Sequence, residues 1–129
     1  MSSLPEFRKL IDLASLQAIF PDLSDKKNIL TGGVFDLLKP FHIDLFEFAK
    51  SCGDILVVAV EEEGRYTPLE ERLEILNEIE DIDYLMVFKG ISLQKIPQNL
   101  FSEIIINEEF ALSRIRSDFS GKIKKFSVK

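Results

Sequence analysis

The stretch from Thr31 to His42 (Thr-Gly-Gly-Val-Phe-Asp-Leu-Leu-Lys-Pro-Phe-His) holds the densest set of groups able to do chemistry. Its glycine pair, Gly32-Gly33, ends an apolar run, and without Cβ atoms the backbone there can come close to a ligand. A helix opening near Pro40 would add free N–H groups and the positive end of its dipole, which together favour a phosphate. Lys39 stands just before that helix and His42 at its start, so both can face one anion. Asp36 is the kind of short acid that caps a turn by accepting backbone N–H bonds.

The remaining candidates are thinner. Glu61-Glu62-Glu63 reads as a solvated loop, with a metal site as the rival. Arg72 by itself reads as an exposed helix residue paired with Glu70 or Glu71, and Arg65 is similar. Cys52 is the only cysteine, so no internal disulfide can form. Among apolar neighbours at a helix end, it is expected in the core rather than as a reactive thiol.

A frame must position these groups. The 129 residues are the size of one domain. It divides into an N-terminal helical segment (1–25), a core (26–107), and a C-terminal helix with a basic tail (108–129). Hydrophobic residues at 46% and charged residues at 29% are a globular balance, and eleven Phe with no Trp point to a core of Phe, Leu and Ile. Residues 5–20 read as one or two short helices, with Phe7, Leu10, Ile11 and Ala14 at helical spacing and Pro21 as the stop. Asn28 to Thr31 reads as the first strand. Pro40 or Phe41 to Ser51 reads as a helix that presents Ile43, Phe46 and Ala49 on one face and stops at Gly53.

Ile55 to Val60 has no polar alternation, as suits a parallel strand covered on both faces. Thr67-Pro68-Leu69-Glu70 has the form of a capping box, opening a helix with Leu69, Leu73, Leu76 and Ile79 on its apolar side. Tyr84 to Phe88 and Ile104 to Ile106 read as strands separated by a partly helical stretch. A weaker helix from Glu109 and a solvated tail (Lys122, Lys124, Lys125, Lys129) close the chain. Alternating strands and helices predict an α/β, Rossmann-like three-layer sandwich with a mostly parallel sheet of four to five strands and right-handed crossovers. Ligands in such sheets sit outside the C-terminal strand ends where the strand order reverses. The loops at that edge are 32–41, 61–67, 89–92 and 107–114.

With these residues in view, the chain resembles the cytidylyltransferase-like nucleotidyltransferases. The agreement runs through Thr31 to Leu38, the helix 43–50, the strand Gly53 to Val60, Gly64-Arg65-x-x-Pro68-x-Glu70-Glu71-Arg72, and Asp83-Tyr84 with the strand ending at Phe88. It spans roughly residues 26–107. The resemblance implies that a substrate phosphate attacks the α-phosphorus of CTP or ATP, usually with Mg²⁺, and that pyrophosphate leaves. The acceptor is a phosphorylated sugar or polyol, and members often form homodimers. On this basis His42 and Lys39 meet the triphosphate. Thr31, Gly32, Gly33, Phe35, Arg72, Arg114 or Arg116, and Ser120 line the nucleotide site, and Asp36 and Arg65 the substrate site.

The family's paired histidines are separated by a variable residue and a glycine. Here Lys39 replaces the first histidine and Phe41 the glycine, and only His42 remains. Asn107 and Glu108 follow the fourth strand where many members carry a lysine. The late arginine motif has its counterpart in Arg116 to Gly121, one residue short.

Two functions therefore compete. One is a small nucleotidyltransferase. The other is a non-catalytic relative that binds a different ligand or a partner protein in a pocket rebuilt by Phe41 and the glutamates. A formal charge of −6 disfavours nucleic acid and acidic membrane as partners. No apolar stretch approaches the ~20 residues of a membrane span, and no basic region precedes an apolar run at the start, so a cytoplasmic protein is expected. Phe41 separates the two functions: a ring lying over Gly32-Gly33 would block the nucleotide site.

Overall fold

A computed structural model of the chain describes residues 7–20, 26–90, 92–97, 100–111, 119 and 121–127. The elements are α1 (Leu13–Ile19), β1 (Asn28–Gly33), α2 (Pro40–Ser51), β2 (Ile55–Glu61), α3 (Leu69–Asn77), β3 (Tyr84–Phe88), a 3₁₀ turn (Ser92–Lys95), β4 (Glu103–Ile106) and β5 (Lys122–Lys125). The five strands form one sheet in the order β3-β2-β1-β4-β5, every neighbouring pair parallel. The order reverses between β1 and β4, which leaves a crevice at their C-terminal ends.

Burial on both faces explains the unbroken apolar run of β2, whose residues Leu56 to Val60 are all fully buried. One face carries Leu30, Val57, Ala59, Met86 and Ile104 against α1 (Leu16) and the 3₁₀ turn (Leu93). The other carries Ile29, Leu56, Val58, Val60, Leu85 and Ile105 against α2 (Leu45, Phe46, Ala49) and α3 (Leu73, Leu76). The result is the expected three-layer α/β sandwich.

Several local expectations change. Gly32 and Gly33 lie inside β1, in register with Ala59 and Val60, rather than after it. Tertiary pairing extends the strand through residues of low strand preference. Phe7, Leu10 and Ile11 are not helical. The Ile11 N–H donates to the Leu85 carbonyl and the Leu85 N–H to the Lys9 carbonyl, so this segment covers the free edge of β3.

α3 opens after Pro68 without a side-chain cap, because the Thr67 hydroxyl donates to the Asp36 carbonyl instead. Lys122 to Lys125 are not a loose tail but pair with β4 as an exposed edge strand, and Lys129 lies outside the described residues. The weaker helix expected from Glu109 does not start there, because Glu109 and Phe110 belong to a turn closed by Asn107, and 112–118 lie outside the described residues. Cys52 is half-buried rather than buried, its Sγ 3.4 Å from the Phe48 carbonyl oxygen and 3.9 Å from Lys124 Nζ.

Candidate functional site

Immediately after β1 the backbone turns at Phe35, which has φ of 55°. This is a left-handed conformation uncommon for an aromatic residue. Burial holds it there: the Phe35 ring packs edge-on to His42 at 5.3 Å and against Phe46 at 5.4 Å. Two successive N–H groups next to a left-handed residue converge on one point and make a concave anion site. The amides of Val34 and Phe35 do so, and both donate over 3.1 Å to the same atom, Oε1 of Glu109.

His42 completes the arrangement. Its Nδ1 accepts the N–H of Lys39 at 2.9 Å, linking the helix's first turn to its cap. A nitrogen that accepts cannot carry a proton, so Nε2 bears the hydrogen and donates to Glu109 Oε2, 2.9 Å away. His42 is 2% exposed. Burial of Glu109 works to raise its pKa. The hydrogen bond from His42 and the amides of Phe35 and Val34 outweigh burial and hold the carboxyl below its ordinary range. The place expected to attract a phosphate is thus filled by the protein's own carboxylate.

A rigid turn delivers that carboxylate. Asn107 and Phe110 exchange backbone hydrogen bonds of 3.1 Å, and the Glu109 N–H donates to Asn107 Oδ1. Asn107 Nδ2 donates to the Gly32 carbonyl at 3.0 Å, while the Thr31 hydroxyl donates to Ile105 O at 2.7 Å. These bonds tie the turn to β1 and β1 to β4. The Phe110 ring is fully buried over Gly32, where a Cβ would come within 2.8 Å of the ring and 2.7 Å of Ala59 O. A Cβ on Gly33 would stand 3.0 Å from Glu109 Oε1. The glycines therefore admit Phe110 and Glu109, in the space the sequence reserved for a ligand.

Arg72 points inward and is 2% exposed, so it is not the exposed helix residue its glutamate neighbours imply. Its Nε donates to Thr67 O, and its two terminal nitrogens donate to Val34 O, Glu61 O and Glu62 O, at 2.7–2.9 Å. The guanidinium binds the ends of β1 and β2 to the 61–67 loop. Asp36 completes this clasp by accepting the N–H groups of Arg65, Tyr66 and Thr67. Desolvation acts to raise its pKa, but these three bonds and nearby Arg72 leave it below its ordinary value.

An open hollow of about 260 Å³ lies over this edge, lined by Val34, Asp36, Leu37, Lys39, Phe41, His42, Tyr66 and Glu109. Lys39 is exposed at its rim. Phe41 stacks on the His42 ring at 4.1 Å and borders the hollow, while Phe110 and Glu109 are what cover the glycine pair. Arg65 turns its guanidinium over the Tyr66 ring at 5.5 Å. Lys89 lies 3.9 Å from both Glu62 and Glu63, and Glu61 accepts the N–H of Gly90. Among the described residues no three His, Cys, Asp or Glu side chains cluster closely enough to hold a metal. Arg114, Arg116 and Ser120 lie outside the described residues.

The structure thus brings together Gly33, Phe35, Asp36, Lys39 and His42 from the sequence-predicted set. Thr31 and Arg72 bond to backbone carbonyls of the strand ends and loops beside it, and Glu109, Asn107 and Phe110 join the set. The signal for Glu109 was an acid a few residues past the end of β4, in a loop already assigned to the ligand edge.

Comparison with known proteins places the chain in a family and a fold. A family model described as cytidylyltransferase-like matches residues 30–125. The bifunctional protein HldE of Desulfatibacillum aliphaticivorans is 33% identical over 109 residues, covering 75% of this chain and 22% of that protein. HldE of Haemophilus influenzae (strain PittGG) is 34% identical over 90 residues, covering 62% of this chain and 18% of that protein. The chain therefore spans about a fifth of the length of these curated relatives. The crystal structure of a lipopolysaccharide core biosynthesis protein from Thermoplasma volcanium GSS1 superposes with a TM-score of 0.63 at 19% identity, covering 81% of this chain and 97% of that one, and shares its fold. Among the described residues no helix is long and apolar enough to cross a membrane.

Proposed function

The chain belongs to the cytidylyltransferase-like family, and from that premise we propose that it transfers CMP or AMP from CTP or ATP to a phosphorylated sugar or polyol. The observation that carries this reading is the convergence of the Val34 and Phe35 amides with His42 Nε2–H at the crevice between β1 and β4. In the reaction an acceptor phosphate oxygen bonds to the α-phosphorus, the bond to the bridging oxygen breaks, and pyrophosphate leaves.

The chemistry needs aligned reactants and neutralised charge more than a covalent intermediate. The two amides and His42 Nε2–H would donate to phosphate oxygens, and Lys39 would supply mobile positive charge from the rim. Exposed Tyr66 and Leu37 offer the hollow's apolar surface to the base. Arg72 would act indirectly, by holding the strand ends. Arg114, Arg116 and Ser120 would meet the nucleotide from the late motif. Mg²⁺ would arrive on the triphosphate, because it keeps most of its ligands as phosphate oxygens and water.

The test is a thermal-shift panel of nucleoside triphosphates with Mg²⁺, followed by a pyrophosphate-release assay with phosphorylated acceptors. His42→Ala is expected to abolish turnover while the domain stays folded, and unchanged turnover in that variant would refute the role. A specific observation favours a second reading, a non-catalytic binding module: the anion site is already filled by Glu109. That reading expects no stabilisation by millimolar Mg-CTP or Mg-ATP.

A further inference from the structure

We propose that Glu109 is an internal competitor for phosphate, a specificity-determining residue that occupies the anion site and sets how tightly any phosphorylated ligand can bind there. The inference rests on the nucleotide reading above only for the identity of that ligand. Both oxygens of Glu109 are engaged as phosphate oxygens would be: Oε1 takes the convergent amides of Val34 and Phe35, and Oε2 takes His42 Nε2–H. Gly33 leaves this carboxylate just enough room.

The turn beneath it is fixed independently of the side chain. Asn107 bonds to the Gly32 carbonyl, Phe110 is buried over Gly32, and the two residues exchange backbone hydrogen bonds. Release of the site therefore requires only rotation of the Glu109 side chain, which sits at the open hollow, and no rearrangement of the 107–110 backbone. A phosphate entering the site must displace one anion and then share the hollow with it, and both steps weaken binding. The same three hydrogen bonds await a ligand once the carboxylate leaves.

The experiment measures inorganic pyrophosphate binding by calorimetry to the full chain and to Glu109→Ala, Glu109→Gln and Glu108→Gln, with Mg-CTP and Mg-ATP titrated in parallel. Glu108 is the exposed neighbour on the same turn, so its variant removes equal charge without emptying the site. Glu109→Ala is expected to bind pyrophosphate about tenfold tighter, the equivalent of one charge-assisted hydrogen bond no longer displaced. Glu109→Gln should gain less, because its amide oxygen still accepts from the two N–H groups, and Glu108→Gln should match the unaltered chain.

An affinity in Glu109→Ala equal to or weaker than that of the unaltered chain overturns the proposal. So does a gain in Glu108→Gln as large as that in Glu109→Ala. If Glu109→Ala does not fold, Glu109→Gln decides: tighter pyrophosphate binding supports the proposal, and equal or weaker binding overturns it. The functional reading fails separately, if no variant binds either nucleotide while pyrophosphate still discriminates among them.

Discussion

Replacing Arg72 by methionine removes the guanidinium but keeps an apolar stem of similar length. Backbone carbonyls of Thr67, Val34, Glu61 and Glu62 then lose their donors. A buried acceptor left without a partner costs about 1–3 kcal/mol. Glu62 is exposed, so water can replace its lost donor, and the main loss falls on the half-buried Thr67, Val34 and Glu61. Methionine also escapes the expense of burying a charge, which offsets part of that loss.

The expected net is about 3 kcal/mol, a large share of the ~5–15 kcal/mol that holds a typical domain together. For a chain of this length that corresponds to a drop of roughly 10 °C in Tm. Urea unfolding of Arg72→Met should show a lowered midpoint at unchanged slope. Arg72→Lys should be nearly as damaging, because one ammonium has too few donors in the wrong geometry to serve the same carbonyls. If both variants lose less than about 1 kcal/mol yet lose nucleotide binding, Arg72 is a phosphate ligand after all and the clasp is secondary.

Other outcomes follow from the same geometry. Gly32→Ala should destabilise by about 1–3 kcal/mol, because its Cβ meets the Ala59 carbonyl, which is backbone and cannot swing aside; adding Phe110→Ala should recover little, and a full rescue in the urea midpoint would contradict this. His42 is the only histidine, so ¹⁵N NMR of the imidazole reads one residue; Nδ1 should be unprotonated and Nε2 protonated, and the opposite pattern would break the assigned hydrogen-bond directions. Asp36 and Glu109 both have depressed folded pKa values, so the stability they add is present above their unfolded pKa and is lost as pH falls through the folded value. The urea midpoint should therefore decline below about pH 4, and Glu109→Gln should flatten that decline. Asp36→Ala should raise amide hydrogen exchange at Arg65, Tyr66 and Thr67 without touching the centre of the sheet.

Local pattern determined most of the architecture. The apolar run Ile55 to Val60, the spacing of Leu69, Leu73 and Leu76, and the Pro40 helix start each have a single sensible outcome, because burial and helix periodicity act over neighbouring residues. Pattern also brought Lys39 and His42 to the C-terminal edge of the sheet, whereas Asp36 caps the distant 65–67 backbone and not its own turn. It misjudged elements whose conformation depends on distant partners. Leu10 and Ile11 adopt strand-like pairing only because the edge of β3 is there to be covered. The lysine-rich end becomes β5 only because β4 offers it a ladder.

The site divides along the same line. That an anion site lies after β1 is a property of sequence, since the strand, turn and helix start that build it are contiguous. What fills that site was decided by contacts between residues some 75 positions apart, Val34 and Phe35 with Glu109, and Gly32 with Asn107. No local rule reveals that a glycine pair makes room for a phenylalanine ring and a carboxylate instead of a ligand. Sequence could name the donors; only the folded chain could supply their present acceptor, because hydrogen bonds are satisfied by whatever the tertiary structure brings within about 3 Å of them.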